Sequence, residues 1–188
     1  MSKKEDIINT ALNLFNSHSY NSIGVDRIIS ESGVAKMTFY KYFRSKAKLI
    51  EECLVTRNQN LQQSLEATIA ACDPSDYLSH IRAIFEWYHA WFHSADFNGC
   101  MFQKAVEEIS KIYPSSLQPA IDYKEWLKGK LCQALNRLGV KQDEQLAAFL
   151  SSILDGMTIQ AQIDPNQVHL EDYWKRVNTL IQMELSAV

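Results

Sequence analysis

Apolar residues recur at intervals of three and four along almost the whole chain, which is the spacing of one face of an α-helix. The first such stripe consists of Ile7, Ile8, Ala11, Leu12 and Phe15. No segment shows the sustained alternation of β-branched residues that is typical of a half-buried strand. Only six Gly and four Pro occur in 188 residues, which is few for a turn-rich β-sandwich. The pattern therefore predicts an all-α protein with about nine helices.

Capping residues and helix breakers predict where the helices begin and end. Ser2, with Glu5 three residues later, forms a capping box at the start of the first helix. Gly33 is expected to end the second helix, because glycine readily adopts the left-handed conformation. Asp73-Pro74 is expected to end the fourth helix and start the fifth, since proline is tolerated in a first helical turn. The third to ninth predicted helices cover residues 36–43, 46–71, 75–94, 101–112, 116–138, 142–163 and 169–186.

Charge is unevenly distributed along the chain. The formal net charge of −3 would by itself argue against a protein that binds nucleic acid. Residues 1–50, however, carry a net charge of +4, whereas residues 51–188 carry −7. This asymmetry indicates two different functions on one chain, with the basic N-terminal segment as the candidate for an anionic partner.

Two short predicted helices joined by a tight turn at residues 33–35 have the dimensions of a helix-turn-helix, whose second helix can enter the major groove of DNA. On that second helix Phe39 and Phe43 are four residues apart and can face the core. Its outer side carries Lys36, Thr38, Lys41 and Tyr42, whose side chains can contact base edges and phosphates. Lys46 and Lys48 lie in the first turn of the next helix, where a phosphate would offset their unfavourable interaction with the helix dipole. A helical subdomain with a solvated basic face is the alternative.

The stretch from Ile7 to Leu49 resembles the DNA-binding domain of the TetR family of transcriptional regulators. The matching motifs are Ala11-Leu12-x-Leu14-Phe15, Val25-Asp26-x-Ile28-Ile29, Gly33-Val34-Ala35-Lys36-Met37-Thr38-Phe39-Tyr40-x-Tyr42-Phe43 and Ser45-Lys46-x-x-Leu49. The resemblance implies a homodimer that binds a palindromic operator in double-stranded DNA and is released by a small-molecule effector. It divides the chain into a helix-turn-helix DNA-binding domain over residues 1–48 and a helical ligand-binding and dimerisation domain over residues 49–188.

Roles for single residues also follow from the resemblance. It assigns Lys36, Thr38 and Lys41 to base edges, and Tyr40, Tyr42 and Lys46 to phosphates, while Met37 can meet a thymine methyl group. The predicted DNA-binding residues are therefore Arg27, Lys36, Met37, Thr38, Tyr40, Lys41, Tyr42 and Lys46.

The chain departs from the family pattern at a few positions. Ser19 stands where glycine is usual, and Gly24 stands where serine or threonine is common. Ala35 replaces the usual serine at the N-cap of the recognition helix, a change that costs typically about 1 kcal/mol. These departures put cap hydrogen bonds and one phosphate contact in doubt without disturbing the predicted fold.

Aromatic residues are concentrated in the second predicted domain, where 11 of the 20 lie between Tyr77 and Trp126. A helix buried in an ordinary core is one interpretation of this run. The other is a binding cavity, because such cavities are mostly apolar and aromatic. The predicted ligand-binding residues are Tyr88, Trp91, Phe92, Phe102, Tyr123, Trp126 and Met157, and the predicted ligand is largely apolar or aromatic.

The last two predicted helices each carry an apolar face. Ser151, Ser152 and Gly156 are small enough to let a second helix approach closely. The same pattern is expected in a core within one chain, but the resemblance favours pairing of two chains. The predicted dimer-interface residues are Phe149, Leu150, Ile153, Leu154, Trp174, Val177 and Ile181.

The chain carries little that indicates catalysis, metal binding or membrane insertion. No Gly-rich phosphate loop or GxSxG motif occurs, so we predict neither an enzyme nor a cofactor. His89 and His93 have a spacing that can hold a metal, but without cysteine partners or an HExxH motif they are interpreted as hydrogen-bonded histidines.

Two further patterns bear on where the protein resides. Four cysteines without a CxxC pair indicate a reducing cytoplasm, and no run of eighteen apolar residues predicts a membrane span. A small helical enzyme or metal-binding protein, and an activator in place of a repressor, remain as alternatives.

Overall fold

The computed structural model describes residues 2–186, which form nine α-helices and contain no β-strand. The helices are α1 (Lys3–Ser17), α2 (Val25–Ser32), α3 (Lys36–Tyr42), α4 (Lys46–Ala70), α5 (Tyr77–Phe92), α6 (Met101–Ile109), α7 (Gln118–Leu138), α8 (Asp143–Ile163) and α9 (Leu170–Ser186). Short 3-10 turns lie at Pro114–Leu117 and Pro165–Gln167. The predicted all-α fold with about nine helices is confirmed.

Local capping chemistry accounts for the ends of the first helices. Glu5 donates its backbone N–H to Ser2 Oγ at 3.2 Å, and the Glu5 carboxylate accepts from the Ser2 backbone N–H at 2.7 Å. The predicted capping box is therefore present. α2 ends at Gly33, which adopts the left-handed conformation with a φ of 65°. Ala35 gives α3 no side-chain cap, as its lack of a polar side chain requires.

Two predicted helix ends differ from the observed ones by two or three residues. α5 begins at Tyr77 and not near Pro74, because the Asp76 carboxylate caps it by accepting the Ser79 backbone N–H at 3.0 Å. α6 ends at Ile109 and not at residue 112. Tyr113, with a φ of −132°, precedes Pro114, and a residue before proline is disfavoured in the helical conformation.

The chain divides into two compact units. The first unit contains the residues up to Leu61 together with Cys100–Asp122, and the second contains Gln62–Gly99 and the residues from Tyr123 onward. This division differs from the predicted domains 1–48 and 49–188, since α6 and the start of α7 belong to the first unit. The predicted functional division stays a prediction.

Each unit has its own apolar core. In the first unit Ile7, Phe15, Ile28 and Phe39 are fully buried, so the periodic residues of α1, α2 and α3 converge as expected. In the second unit α5, α7, α8 and α9 supply a larger core whose members include Phe85, Leu127, Leu150 and Val177. Burial of each large apolar side chain stabilises the folded state by about 1.5–3 kcal/mol.

Among residues 2–186 one helix, α8, is long and apolar enough to cross a membrane by length and composition alone, with a mean hydropathy of 1.2 over eighteen residues. Core helices pass the same test. Leu150, Leu154 and Met157 of α8 are fully buried in the second unit, whereas Phe149, Ile159 and Ile163 of the same helix are exposed.

Candidate nucleic-acid interface

Phe39 and Phe43 anchor the recognition helix α3 in the core of the first unit. Both side chains are fully buried, and their ring centres lie 5.8 Å apart. A tight turn that begins at Gly33 joins α2 to α3, as the sequence predicts. Because the anchors lie on one side of α3, the opposite side is presented to solvent.

Most of the predicted DNA-binding residues lie on that exposed side or next to it. Met37 is the most exposed, at 87%, followed by Tyr40 at 46% and Tyr42 at 38%. Lys36, Lys41 and Arg27 are also exposed, whereas Thr38 is half-buried. The surface thus carries cations, hydroxyls and one apolar side chain. These are the groups that bind phosphates and contact base edges in DNA.

Carboxylates in the same unit already neutralise some of these cations. Lys36 Nζ lies 3.3 Å from Asp26 Oδ1, and Arg27 Nε donates to Glu31 Oε1 at 2.7 Å. Both pairs are exposed, and such pairs contribute only about 0–1 kcal/mol. A phosphate can therefore replace either carboxylate at little cost.

Lys46 differs from the other cations because it is half-buried at the start of α4. Burial lowers its pKa, and the nearby charge of Glu108 acts in the opposite direction. The Lys48 backbone N–H donates to Ser45 Oγ at 3.2 Å, so the predicted N-cap of α4 is present. An anion at this helix start would restore favourable surroundings for the Lys46 charge.

Helix α6 is bonded to the C-terminal end of α1 and to the loop that follows it. Lys104 Nζ donates to the carbonyl oxygens of Phe15 and Asn16, at 3.2 and 2.8 Å. Ser19 Oγ donates to Glu108 Oε2 at 2.6 Å. Tyr20 also donates its hydroxyl to the Met101 carbonyl, at 3.1 Å. Sequence reasoning missed these contacts, and the serine at the usual glycine position was the only local signal.

Six of the predicted ligand-binding residues lie in the second unit, and the seventh, Phe102, belongs to the first. The hydroxyls of Tyr88 and Tyr123 share a hydrogen bond of 2.9 Å between α5 and α7. Tyr123 also stacks on Trp126, with ring centres 6.0 Å apart. Tyr88, Phe92 and Met157 are core members, and Trp91 and Trp126 pack against that core. Their role in binding a ligand stays a prediction.

Most of the predicted dimer-interface residues are buried within one chain, and their role in pairing stays a prediction. Five of the seven residues are buried in the core of the second unit: Leu150, Leu154, Trp174, Val177 and Ile181. They already have partners within one chain and offer little surface to another. Phe149 is 53% exposed, and Ile153 is half-buried.

A different face of α8 is available to a partner. Its exposed residues recur at intervals of three and four, as Phe149, Ser152, Gly156, Ile159 and Ile163. We call this set the α8 stripe. It has the spacing of a helix-packing seam, and two of its members are small.

The two histidines of α5 are close to each other. The ring centres of His89 and His93 lie 4.5 Å apart. Burial lowers the pKa of His89, and the nearby His93 also lowers it, while a hydrogen bond to the Val168 backbone raises it. Within residues 2–186, no three His, Cys, Asp or Glu side chains are grouped as a metal site.

The amino-acid sequence is similar to one family of regulatory proteins and to two bacterial relatives. Residues 7–53 match the family described as bacterial regulatory proteins, tetR family. YerO of Bacillus subtilis (strain 168), described as an HTH-type transcriptional regulator, is 34% identical over 88 residues, which are 45% of this chain and 30% of YerO. The transposon Tn10 TetC protein of Escherichia coli is 26% identical over 158 residues, 81% of this chain and 73% of that protein.

The fold is also similar to that of a solved structure. A TetR-family transcriptional regulator from Streptomyces coelicolor aligns with a TM-score of 0.86 and 22% identity, over 96% of this chain and 94% of that one. At this identity the likeness is one of fold.

A helix-turn-helix with a basic and aromatic outer face, followed by an all-helical region, is the arrangement typical of DNA-binding regulatory proteins. Residues 7–53, the stretch that contains this helix-turn-helix, match the TetR family of bacterial regulatory proteins. This match supports the prediction of a DNA-binding transcriptional regulator and the prediction that the protein is not an enzyme.

Proposed function

We propose that the protein is a homodimeric repressor that binds a palindromic operator and leaves it when a small, largely apolar or aromatic molecule binds. The observation that carries this proposal is the exposed outer side of α3. Lys36, Tyr40, Lys41 and Tyr42 face solvent there, while Phe39 holds the helix from the opposite side. A rigidly held helix with cationic and hydroxyl side chains is suited to the major groove.

Pairing of two chains through the α8 stripe supports recognition of a palindrome. Two-fold symmetry brings the same residues of each chain together, so Gly156 and Ser152 allow the two α8 helices to approach closely. Phe149 and Ile159, each more than half exposed, would then be buried. A symmetric dimer presents two recognition helices, which need a separation of about 34–36 Å to read half-sites one turn of DNA apart.

The aromatic cluster of the second unit supports a ligand with apolar surface. Tyr88 and Tyr123 place a pair of hydroxyls inside otherwise apolar and aromatic surroundings. A ligand with one polar group can take over that hydrogen bond while its apolar part contacts Trp91 and Trp126. Release then requires that the ligand bind more tightly to the conformation that does not fit the operator.

The proposed place of action is the cytoplasm, where the operator DNA is accessible. The four free cysteines are compatible with such a reducing compartment. Repression follows if the operator overlaps the promoter, since the bound dimer then excludes the polymerase.

The experiment that tests this function is operator selection with the purified full-length protein. Random duplexes are selected through repeated binding at about 0.15 M salt and then sequenced, because low salt exaggerates non-specific binding. We expect an enriched palindrome whose half-sites are about one helical turn apart. Two outcomes would contradict the proposal: no enrichment over random DNA, or an enriched site without two-fold symmetry.

The repressor assignment has its own readout. A reporter gene with the selected operator across its promoter is expected to fall in expression when the protein is present. An increase in expression would make the protein an activator. Deletion of one half-site serves as the control, because a dimer that contacts both half-sites loses most of its affinity for the remaining one.

A further inference from the structure

His89 and His93 form a close pair near the C-terminal end of α5. They are four residues apart, so they lie on one face of the helix, and their ring centres are 4.5 Å apart. His93 is exposed and His89 is half-buried, so solvent reaches the pair. Neither residue belongs to the proposed DNA-binding, ligand-binding or dimer surfaces.

The distance between the two rings fits one particular ligand geometry. A bond of about 2.0 Å between a metal ion and an imidazole nitrogen places the ring centre about 3.2 Å from the metal. Two rings that bind at a right angle then have centres about 4.5 Å apart, whereas a tetrahedral angle would separate them by about 5.2 Å. The observed 4.5 Å matches neighbouring positions of a square-planar or octahedral ion.

Each ring already uses one of its nitrogens. His93 Nδ1 donates to the backbone carbonyl of His89 at 2.9 Å, and a hydrogen bond with the Val168 backbone engages the His89 ring. A neutral imidazole that donates from one nitrogen carries a lone pair on the other. Backbone carbonyls commonly hold metal-binding histidines in this way, because the hydrogen bond fixes both the tautomer and the ring orientation.

We propose that His89 and His93 form a two-histidine chelate for a divalent transition-metal ion that prefers tetragonal nitrogen coordination. Cu²⁺ is expected to bind most tightly and Ni²⁺ less tightly, since affinities for nitrogen sites follow that order. Two protein ligands suffice because water completes the coordination, in keeping with the lack of a three-residue group among residues 2–186. This site is independent of the proposed operator and effector.

The test is a titration of the full-length protein with Cu²⁺ alone, at about pH 7.5, where imidazole is largely neutral. Calorimetry measures the affinity, and electron paramagnetic resonance detects the nitrogen ligands. We expect one ion per chain at this site, with superhyperfine splitting from two nitrogens. His89→Ala and His93→Ala are each expected to lower the affinity at least about tenfold, because even the loss of an outer partner costs about 10–100-fold.

His169→Ala is the matched control. His169 is near enough to lower the pKa of His89, but it lies outside α5. We expect its variant to bind Cu²⁺ as the unchanged protein does. The proposal is overturned if both α5 variants keep full affinity, or if the His169 variant loses as much as they do. Circular dichroism checks that the variants remain helical, as expected for alanine in a helix.

Discussion

Ser19 Oγ donates a 2.6 Å hydrogen bond to Glu108 Oε2, across 89 positions of the sequence. The serine lies in the loop after α1, and the glutamate lies in the last turn of α6. This contact, together with those of Lys104 and Tyr20, makes α6 a structural part of the unit that contains the recognition helix.

The first prediction concerns this hydrogen bond. Ser19→Ala is expected to lower the free energy of unfolding by about 1–2 kcal/mol, because it removes a partly buried hydrogen bond to a charged group. Urea denaturation measures the change. Ser17→Ala is the control, since the Ser17 hydroxyl donates to the Asn13 carbonyl on the exposed side of α1. Equal effects of the two variants would show that the bond to Glu108 contributes no more to the free energy of unfolding than an exposed hydrogen bond does.

The second prediction separates base contacts from phosphate contacts and depends on the proposed DNA binding. Lys36→Ala is expected to relax the base preference at one operator position by about 1–3 kcal/mol. Lys46→Ala is expected to weaken binding to all sequences alike and to reduce the salt slope by about 1. Fluorescence anisotropy over a series of salt concentrations and operator variants measures both effects.

Lys128→Ala provides the control for this pair. Lys128 is exposed in the second unit, so its loss changes the net charge without touching the helix-turn-helix. If Lys36→Ala and Lys46→Ala behave alike, the division of roles between them is wrong.

The third prediction tests the α8 stripe. Phe149→Asp is expected to convert the proposed dimer to a monomer, because two-fold symmetry would bury two unpaired carboxylates in one interface. Light scattering coupled to size-exclusion chromatography measures the mass. Val106→Asp is the control, since Val106 on α6 is 51% exposed and Phe149 is 53% exposed. Dimers that persist in Phe149→Asp would place the interface elsewhere.

The fourth prediction is a pH dependence of the start of α5. A hydrogen bond from the Ser79 hydroxyl lowers the pKa of Asp76, and a second from the Ser79 backbone N–H adds to it. Because the pKa is lower in the folded state, the ionised carboxylate stabilises the fold above the unfolded-state pKa. That stability is lost as the pH falls through the folded-state pKa.

Thermal unfolding followed between about pH 3 and pH 7 measures this dependence. Asp76→Asn keeps a capping oxygen but cannot titrate, so it is expected to flatten the acid part of the profile. Asp172→Asn, at an exposed position in the first turn of α9, is the control. An unchanged profile in Asp76→Asn would mean that other groups cause the acid sensitivity.

Local sequence signals were sufficient to predict the helix-turn-helix. A left-handed glycine at residue 33 and two phenylalanines four residues apart determine where α2 ends and which side of α3 faces the core. Both depend on neighbours in the sequence, so they can be recognised without the structure. The start of α5 was missed although its signal is also local, because Pro74 was given more weight than the Asp76 cap.

Packing between residues far apart in the chain could not be predicted from the sequence. The apolar residues of α8 and α9 were recognised, but periodicity does not say whether a partner belongs to the same chain. Leu150 and Leu154 pack within the second unit, while Phe149, next to Leu150, points to solvent. The bonds from α6 to α1 join residues more than 80 positions apart, and no spacing rule connects them.

Helix α1 has no basic residue in its own last turn, and Lys104 of α6 supplies the cation that its terminal carbonyl groups attract. Residues 7–53, which match the family model, therefore lack part of what stabilises their own first helix. A hybrid regulator that transplants residues 7–53 onto another sensor would leave this helix end exposed and prone to fraying. A graft that also carries α6 keeps the hydrogen bonds from Lys104 to the end of α1.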